Sequence, residues 1–317
     1  MSEPLKSYYE FAQVSLAAYG TLSPSLDPVE YSEALVGAGF SQKAATDFAS
    51  RYTVLSQSDP SATGFSATLF FDTVTNQKIL AIRGTDNLPD LISDLNVLFG
   101  TGGLFDGQYQ ALKAYYADLT NPNGLNLIGA NEQIHVTGHS LGGYLAQEFT
   151  ADVNFRAKVL HAYTYNSSGF GGIWTEIGKL FGFSPENIPN AQITNLLAKN
   201  GLSATAGLGT LVGAVQNIFI EKGDALHNHS IITSTDSLAV YDLFGRIDST
   251  TVTVSAITGI LNATTKDPTL AKDNDTLETT VEALNKLLLN QNVTIKTDNR
   301  PALYTQILSL ENNPIVN

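Results

Sequence analysis

The chain has 317 residues, 30 acidic side chains against 17 basic ones, and no cysteine. Its net charge of −13 repels phosphate backbones and speaks against a nucleic-acid partner, while the missing thiols exclude disulfides, zinc–cysteinate sites and cysteine nucleophiles. No run of ~18 apolar residues provides a transmembrane helix, and MSEPLKSYYEFAQ lacks the cationic-then-apolar order of a cleavable signal peptide.

Tyr8, Phe11, Val14, Leu16 and Ala18 recur at three-to-four spacing and predict a helix over 7–19, ended by Gly20. A second helical pattern covers 30–50. Three strand-like segments follow, Tyr52–Leu55, Phe65–Asp72 and Lys78–Arg83, the last two joined as a hairpin by TVTNQ. Helical patterns at 107–119, Leu141–Val153 and 173–181 then alternate with strands at Gln133–Thr137, Lys158–Tyr165, Gln192–Ala198 and Asn217–Glu221. This alternation predicts an α/β fold with a largely parallel sheet, and residues 1–250 read as one catalytic-type domain. After Thr250 the texture becomes rich in Thr, Asn and Asp. Residues 251–317 read as a helical extension with two amphipathic helices. One of them opens on the capping-box pattern Asp275-Thr-Leu-Glu278 and carries Leu277, Val281, Leu284 and Leu288 at helical spacing. The closing ENNPIVN fits either the start of a truncated downstream region or a polar tail.

The chemistry concentrates in QIHVTGHSLGGYLA, residues 133–146. Ile134 and Val136 alternate along a strand, Gly138-His139-Ser140-Leu141-Gly142 fits G-x-S-x-G, and Leu141, Leu145 and Phe149 mark one side of a following helix. Strand, G-x-S-x-G and helix together are the context of a nucleophile elbow. The turn is tight enough that Gly138 and Gly142 leave no room for side chains. Ser140 is then lifted above the sheet as a nucleophile.

Such a hydroxyl needs a base, and the histidines are His135, His139, His161, His227 and His229. His139 points elsewhere on the elbow and reads as a packing or hydrogen-bonding residue. His135 and His161 fall inside strands and read as core histidines. His227 and His229 follow the last predicted strand, where an α/β hydrolase places its base. His229 is preferred because it directly precedes the apolar-periodic SIITSTDSLAVYDLF.

Ile82-Arg83-Gly84-Thr85 with Asp94, the N-terminal SYYEFAQVSLAAYG, the GHSLGG elbow and the segment NHSI together resemble class 3 (fungal-type) lipases. The nearest flavour is that of lipase-like modules of bacterial calcium-repeat (RTX) proteins. The resemblance spans roughly residues 8–245. It implies an α/β-hydrolase fold, Ser140 as nucleophile, His229 as base, and an oxyanion hole from the backbone N–H groups of Thr85 and Leu141. Two amides, one ending a strand and one opening a helix, can point at a single developing oxyanion. The family's orienting Asp has no counterpart, since its position reads Lys199-Asn200-Gly201-Leu202. Asp224 is the first alternative acid, with Glu221 and Asp236 behind it. An Asn200 orienting group and a Ser–His dyad are also open.

The apolar, glycine-rich LNVLFGTGGLFDG fits either a lid hinged at Gly100, Gly102 and Gly103 or a surface loop packed by Leu98 and Leu104. Phe170–Ile173 and residues 206–215 read as candidate walls of an acyl pocket. The expected activity is hydrolysis of carboxylic esters of lipids, as a lipase, phospholipase A1 or esterase engaged in lipid degradation. The alternative is a non-catalytic binding or adhesin module on a degenerate hydrolase fold. No cofactor and no catalytic metal is expected. Asp273-Asn274-Asp275 with Glu278 lacks the glycine and spacing of a calcium loop, so calcium would enter only as a structural ion. The expected partner is a lipid or small ester, met at a lipid interface without a membrane span, and the oligomeric state stays open. Acidic, cysteine-free composition with no cleavable signal favours a secreted, extracellular protein over a cytoplasmic one.

Overall fold

The computed structural model describes residues 5–58, 63–84, 103–167, 169, 190–198, 211–248, 250–266, 275–314 and 316. Their strands form one seven-stranded sheet in chain order: β1 (Tyr52–Gln57), β2 (Ala67–Asp72), β3 (Gln77–Ile82), β4 (Ile134–His139), β5 (Val159–Tyr165), β6 (Ile193–Ala198) and β7 (Ala214–Ile218). The first three strands are antiparallel and β3 to β7 are parallel. This mostly parallel sheet flanked by helices is the α/β architecture that the alternation predicts. The last strand sits at 214–218 rather than 217–221; Phe219 and Ile220 lie beyond it, fully buried without strand pairing.

Parallel strands need cover on both faces, and the alternation along each strand supplies it. Ile134, Val136 and Ala162 join Tyr109, Leu112 and Tyr116 of α4 (Gly103–Thr120) and Leu145 and Phe149 of α5 (Leu141–Ala151). On the opposite face Tyr163 and Tyr165 meet α1 (Leu5–Ala17) and α7 (Ile231–Ile247). Polar bonds fix α1 there: the Tyr165 hydroxyl donates to the Tyr8 carbonyl at 2.7 Å, and Thr137 Oγ1 donates to the Phe11 carbonyl at 3.3 Å.

The helical pattern over 30–50 is two helices, α2 (Pro28–Gly37) and α3 (Gln42–Arg51). Asp27 and Glu30 form a capping box on α2. The chain then turns at Gly39, whose φ of 110° suits a residue without Cβ. Ser41 caps α3 through the Ala44 amide. A short α6 (Ala225–His229) precedes α7.

Beyond Thr250 the described residues hold three helices where the sequence predicts two: α8 (Val254–Lys266), α9 (Thr276–Leu289) and α10 (Arg300–Glu311). Leu277, Val281 and Leu284 of α9 and Leu303, Tyr304, Ile307 and Leu310 of α10 belong to the same hydrophobic cluster as α1 and α7. Arg300 fixes this packing. Its guanidinium grips the Asp236 carboxylate of α7 with Nε at 2.6 Å and Nη2 at 2.8 Å, and Nη1 donates to the Gly39 carbonyl at 2.6 Å. The Tyr304 hydroxyl donates to the same carboxylate at 2.8 Å. The predicted capping box at Asp275 does not form, because that side chain makes no cap hydrogen bond. Glu221 fills the role from elsewhere in the chain, accepting from the Leu277 amide at 2.9 Å.

Candidate active site

The parallel register pairs Ile82 with Gly138 and Gly138 with Thr164, so β3, β4 and β5 end at one edge of the sheet. The carboxyl edge of such a sheet is where α/β proteins place their ligands. Ser140 stands there between β4 and α5, with φ 57° and ψ −124°. A serine in that conformation is strained, and surrounding packing has to impose it.

Glycines allow the packing to close. A Cβ on Gly138 would collide with the backbone of Gly142 and Gly143, and one on Gly142 with the backbone of Ile82 and Arg83. The glycine of the Arg83-Gly84-Thr85 motif belongs to the same construction. A Cβ at Gly84 would come within 2.5 Å of the His139 carbonyl and 2.6 Å of the Tyr19 hydroxyl. The two sequence motifs are therefore pressed against each other.

His229 ends α6 and meets the serine. Its Nε2 lies 2.8 Å from Ser140 Oγ, and both residues are only 1% exposed. Sequence reading puts this histidine in a loop, but it stands at the junction of two helices. Asp224 caps α6 through the His227 amide at 2.8 Å, and Ser230 caps α7 through the Ile232 amide at 3.1 Å. Burial, with the His139 ring adding to it, lowers the His229 imidazole to about 3. The ring is thus neutral, and an Nε2 that accepts from Ser140 leaves its proton on Nδ1. His227 is exposed, and it is His229 that meets Ser140.

Two buried side chains hold the His229 carbonyl. His139 Nε2 lies 2.6 Å from it, and Asn166 Nδ2 donates to it at 3.2 Å. A carbonyl can only accept, so His139 is protonated at Nε2. Its Nδ1 then accepts from the Tyr19 hydroxyl at 2.8 Å. That hydroxyl in turn accepts from the Gly84 amide at 3.2 Å. Burial lowers His139 to about 4, which keeps this tautomer neutral. Asn166 also anchors β6, its Oδ1 accepting from the Ala198 amide at 2.8 Å. Sequence reading misses Asn166 and Tyr19. The one available signal for Asn166 is its place just past the carboxyl end of β5.

The carboxylates considered as orienting acids are all engaged elsewhere. Asp224 is exposed and spends its carboxylate on capping α6. Asp236 is held by Arg300 and Tyr304. Glu221 caps α9, and burial raises it to about 8. None of the three touches the His229 ring, which corrects their assignment as its partner.

Thr85, Asp94, Lys199-Asn200-Gly201-Leu202, Phe170–Ile173, Asp273, Asn274, Leu98, Gly100 and Gly102 lie outside the described residues, as do residues 173–181 and 206–210. Gly103 opens α4. Leu141 begins α5, so its amide is one of the first-turn N–H groups with no partner inside the helix. The strand histidines have neighbours of their own, His135 Nε2 with Gln77 Oε1 at 2.8 Å and His161 Nε2 with Thr194 Oγ1 at 2.9 Å. Among the described residues no three His, Asp or Glu side chains converge to hold a metal ion, and no helix is long and apolar enough to cross a membrane.

No family model matches the chain, and no curated protein matches it by sequence. Solved structures are similar to it in part. The Lip2 lipase from Yarrowia lipolytica aligns at 17% identity over 71% of this chain and 82% of its own, with a TM-score of 0.43. A Rhizomucor miehei lipase–propeptide complex aligns at 13% identity over 75% and 78%, with a TM-score of 0.43. A triacylglycerol lipase from Penicillium expansum aligns at 15% identity over 73% and 91%, with a TM-score of 0.38.

Proposed function

We propose that this chain is a serine hydrolase that cleaves carboxylic esters of lipids through an acyl-enzyme on Ser140. The observation that carries the reading is the buried 2.8 Å contact between Ser140 Oγ and His229 Nε2 on a strained strand-to-helix turn. His229 takes the serine proton as Oγ attacks the ester carbonyl, and the resulting imidazolium delivers that proton to the departing alcohol. Water enters, gives a proton to His229, attacks the acyl carbon and releases the acid and free Ser140. The Leu141 amide stabilises the tetrahedral oxyanion, joined by that of Thr85 as the family resemblance implies. Gly138 and Gly142 serve the geometry of the elbow. The chemistry requires no metal or cofactor. Triacylglycerol, phospholipid sn-1 and simple esters all fit this machinery, and the substrate is met at a lipid interface. Export to the extracellular medium, in the manner of calcium-repeat proteins, accords with the acidic, cysteine-free composition.

The second reading, a binding or adhesin module, is favoured by one observation: Asp224, Glu221 and Asp236 all serve other contacts. Turnover of p-nitrophenyl esters of graded acyl length separates the two. The hydrolase reading expects release by the full chain, and Ser140→Ala and His229→Ala each to lower kcat by about 10⁴-fold or more. Equal release by the full chain and Ser140→Ala would overturn it.

A further inference from the structure

Ser140 and His229 stand on separate segments, and the chain at the end of β5 touches both. The Ser140 amide donates to the Tyr165 carbonyl at 2.9 Å, which ties the elbow to β5. The next residue is Asn166, whose side chain reaches the base: Nδ2 donates to the His229 carbonyl at 3.2 Å and to Ser234 Oγ of α7 at 3.3 Å. On its other side, Oδ1 accepts from the Ala198 amide at the end of β6 at 2.8 Å. The residue is fully buried, and its left-handed φ of 44° is one that asparagine tolerates better than most residues with a Cβ.

The partners dictate which atom faces which. The Ala198 N–H calls for an acceptor and the His229 carbonyl for a donor, so the side chain has to present both, as a carboxamide does. The sheet holds without that side chain. β5 and β6 pair through their backbones up to Tyr165 and Leu196, and the Asn166 amide donates to the Leu196 carbonyl at 2.9 Å. α7 has anchors of its own in Arg300 and Tyr304. What the carboxamide adds is a tie between the strand that holds the nucleophile and the backbone of the base.

We propose that Asn166 is a positioning residue for the Ser140–His229 pair, and that the N–H it donates to the His229 carbonyl is the part catalysis requires. This rests on the hydrolase reading above. Tyr165 and Asn166 form one joint, in which the main chain of the first holds the nucleophile and the side chain of the second holds the base. The joint governs how the imidazole meets Oγ, so its loss falls on kcat rather than on KM.

Steady-state kinetics of the full chain on a soluble p-nitrophenyl ester, from about pH 5.5 to about pH 8, test this against Ser140→Ala as the blank. Asn166→Asp keeps the shape. Ionised, it turns an acceptor toward the His229 carbonyl; protonated, it regains a donor there, and burial shifts that protonation upward. Its kcat is expected about tenfold or more below wild type at about pH 8, with KM within about twofold. The deficit is expected to shrink severalfold toward about pH 5.5. Asn166→Gly keeps the left-handed backbone and covers the case in which the charged variant does not fold; its deficit of about tenfold is expected at every pH. Ser140-dependent turnover with wild-type kcat in either variant, or a folded Asn166→Asp with a deficit independent of pH, overturns the proposal and leaves the hydrolase reading standing. Failure of both variants to fold also overturns it, since Asn166 would then serve the fold alone. Wild-type turnover no greater than that of Ser140→Ala overturns the hydrolase reading, and this proposal with it.

Discussion

His139 donates a hydrogen bond to the carbonyl of His229 across 2.6 Å, so the residue before the elbow serine anchors the backbone of the residue whose ring faces that serine. Asn166, just past β5, doubles the anchor. The ring–hydroxyl distance of 2.8 Å is therefore set by a network that also includes Tyr19 and Gly84.

Removing that anchor leaves a buried carbonyl short of a donor, at a cost of about 1–3 kcal/mol. His139→Ala is expected to lower kcat on a soluble ester by roughly 10- to 100-fold, with KM little changed. His139→Gln, which keeps an N–H donor, recovers part of the loss. Steady-state kinetics on both variants check this, and equal kcat for wild type and His139→Ala would refute it.

Two glycine substitutions should move stability in opposite directions. Gly142→Ala drives a methyl into the Ile82 and Arg83 backbone and is expected to cost about 2–4 kcal/mol or prevent folding. Gly259 sits exposed inside α8 with nothing near its Cα hydrogen, so Gly259→Ala is expected to stabilise by about 0.5–1 kcal/mol. Urea unfolding midpoints of the two variants give the comparison.

The lowered His229 predicts where activity is lost in acid. A base held near 3 by burial keeps its proton-accepting form far below the usual imidazole range. The acid limb of kcat/KM is expected below about pH 5. A half-maximal point at about 6.5 would contradict it.

Stability should respond to pH through two sets of groups. His139 and His161 are lowered to about 4 and His229 to about 3, so their contribution is present above the unfolded value of about 6.5 and lost as pH falls toward those folded values. Burial raises Glu278 and Glu311 to about 7 and Glu221 to about 8. Their contribution is present below the unfolded carboxyl value of about 4.3 and lost as pH rises through those folded values. Above pH ~6.5 the carboxyl set dominates, so Tm falls between about pH 6.5 and 9. Calorimetry on the Glu221→Gln, Glu278→Gln double variant should show a shallower fall, and an unchanged slope would refute the assignment.

The elbow was legible in the sequence because its parts are local: strand, turn and helix all fall between Ile134 and Ala151. The sheet followed from alternation, which needs only neighbouring residues. The pair Ser140 and His229 spans 89 positions, and sequence order pointed to the right segment without giving its helical form. Asp224 was misjudged because an acid near a histidine reads the same whether it orients the ring or caps a helix; only the direction of its carboxylate separates the two. Asn166, Tyr19 and Glu221 act on residues tens of positions away, and only the place of Asn166 just past β5 gives any local signal. Beyond Thr250 two helices were expected where three stand, and the anchor of α10, Arg300, is a charged residue whose partners lie on α7 and at Gly39.

The Arg300 clasp also bears on the order in which the molecule is made. During synthesis Ser140 leaves the ribosome first, and His229 follows within the same stretch of sheet and helix. The helix that begins just after His229 receives its anchors from Arg300 and Tyr304, residues translated some seventy positions later. A nascent chain thus carries both reacting side chains, and the His139 and Asn166 groups that hold the His229 carbonyl, while α7 still lacks its anchors from α10.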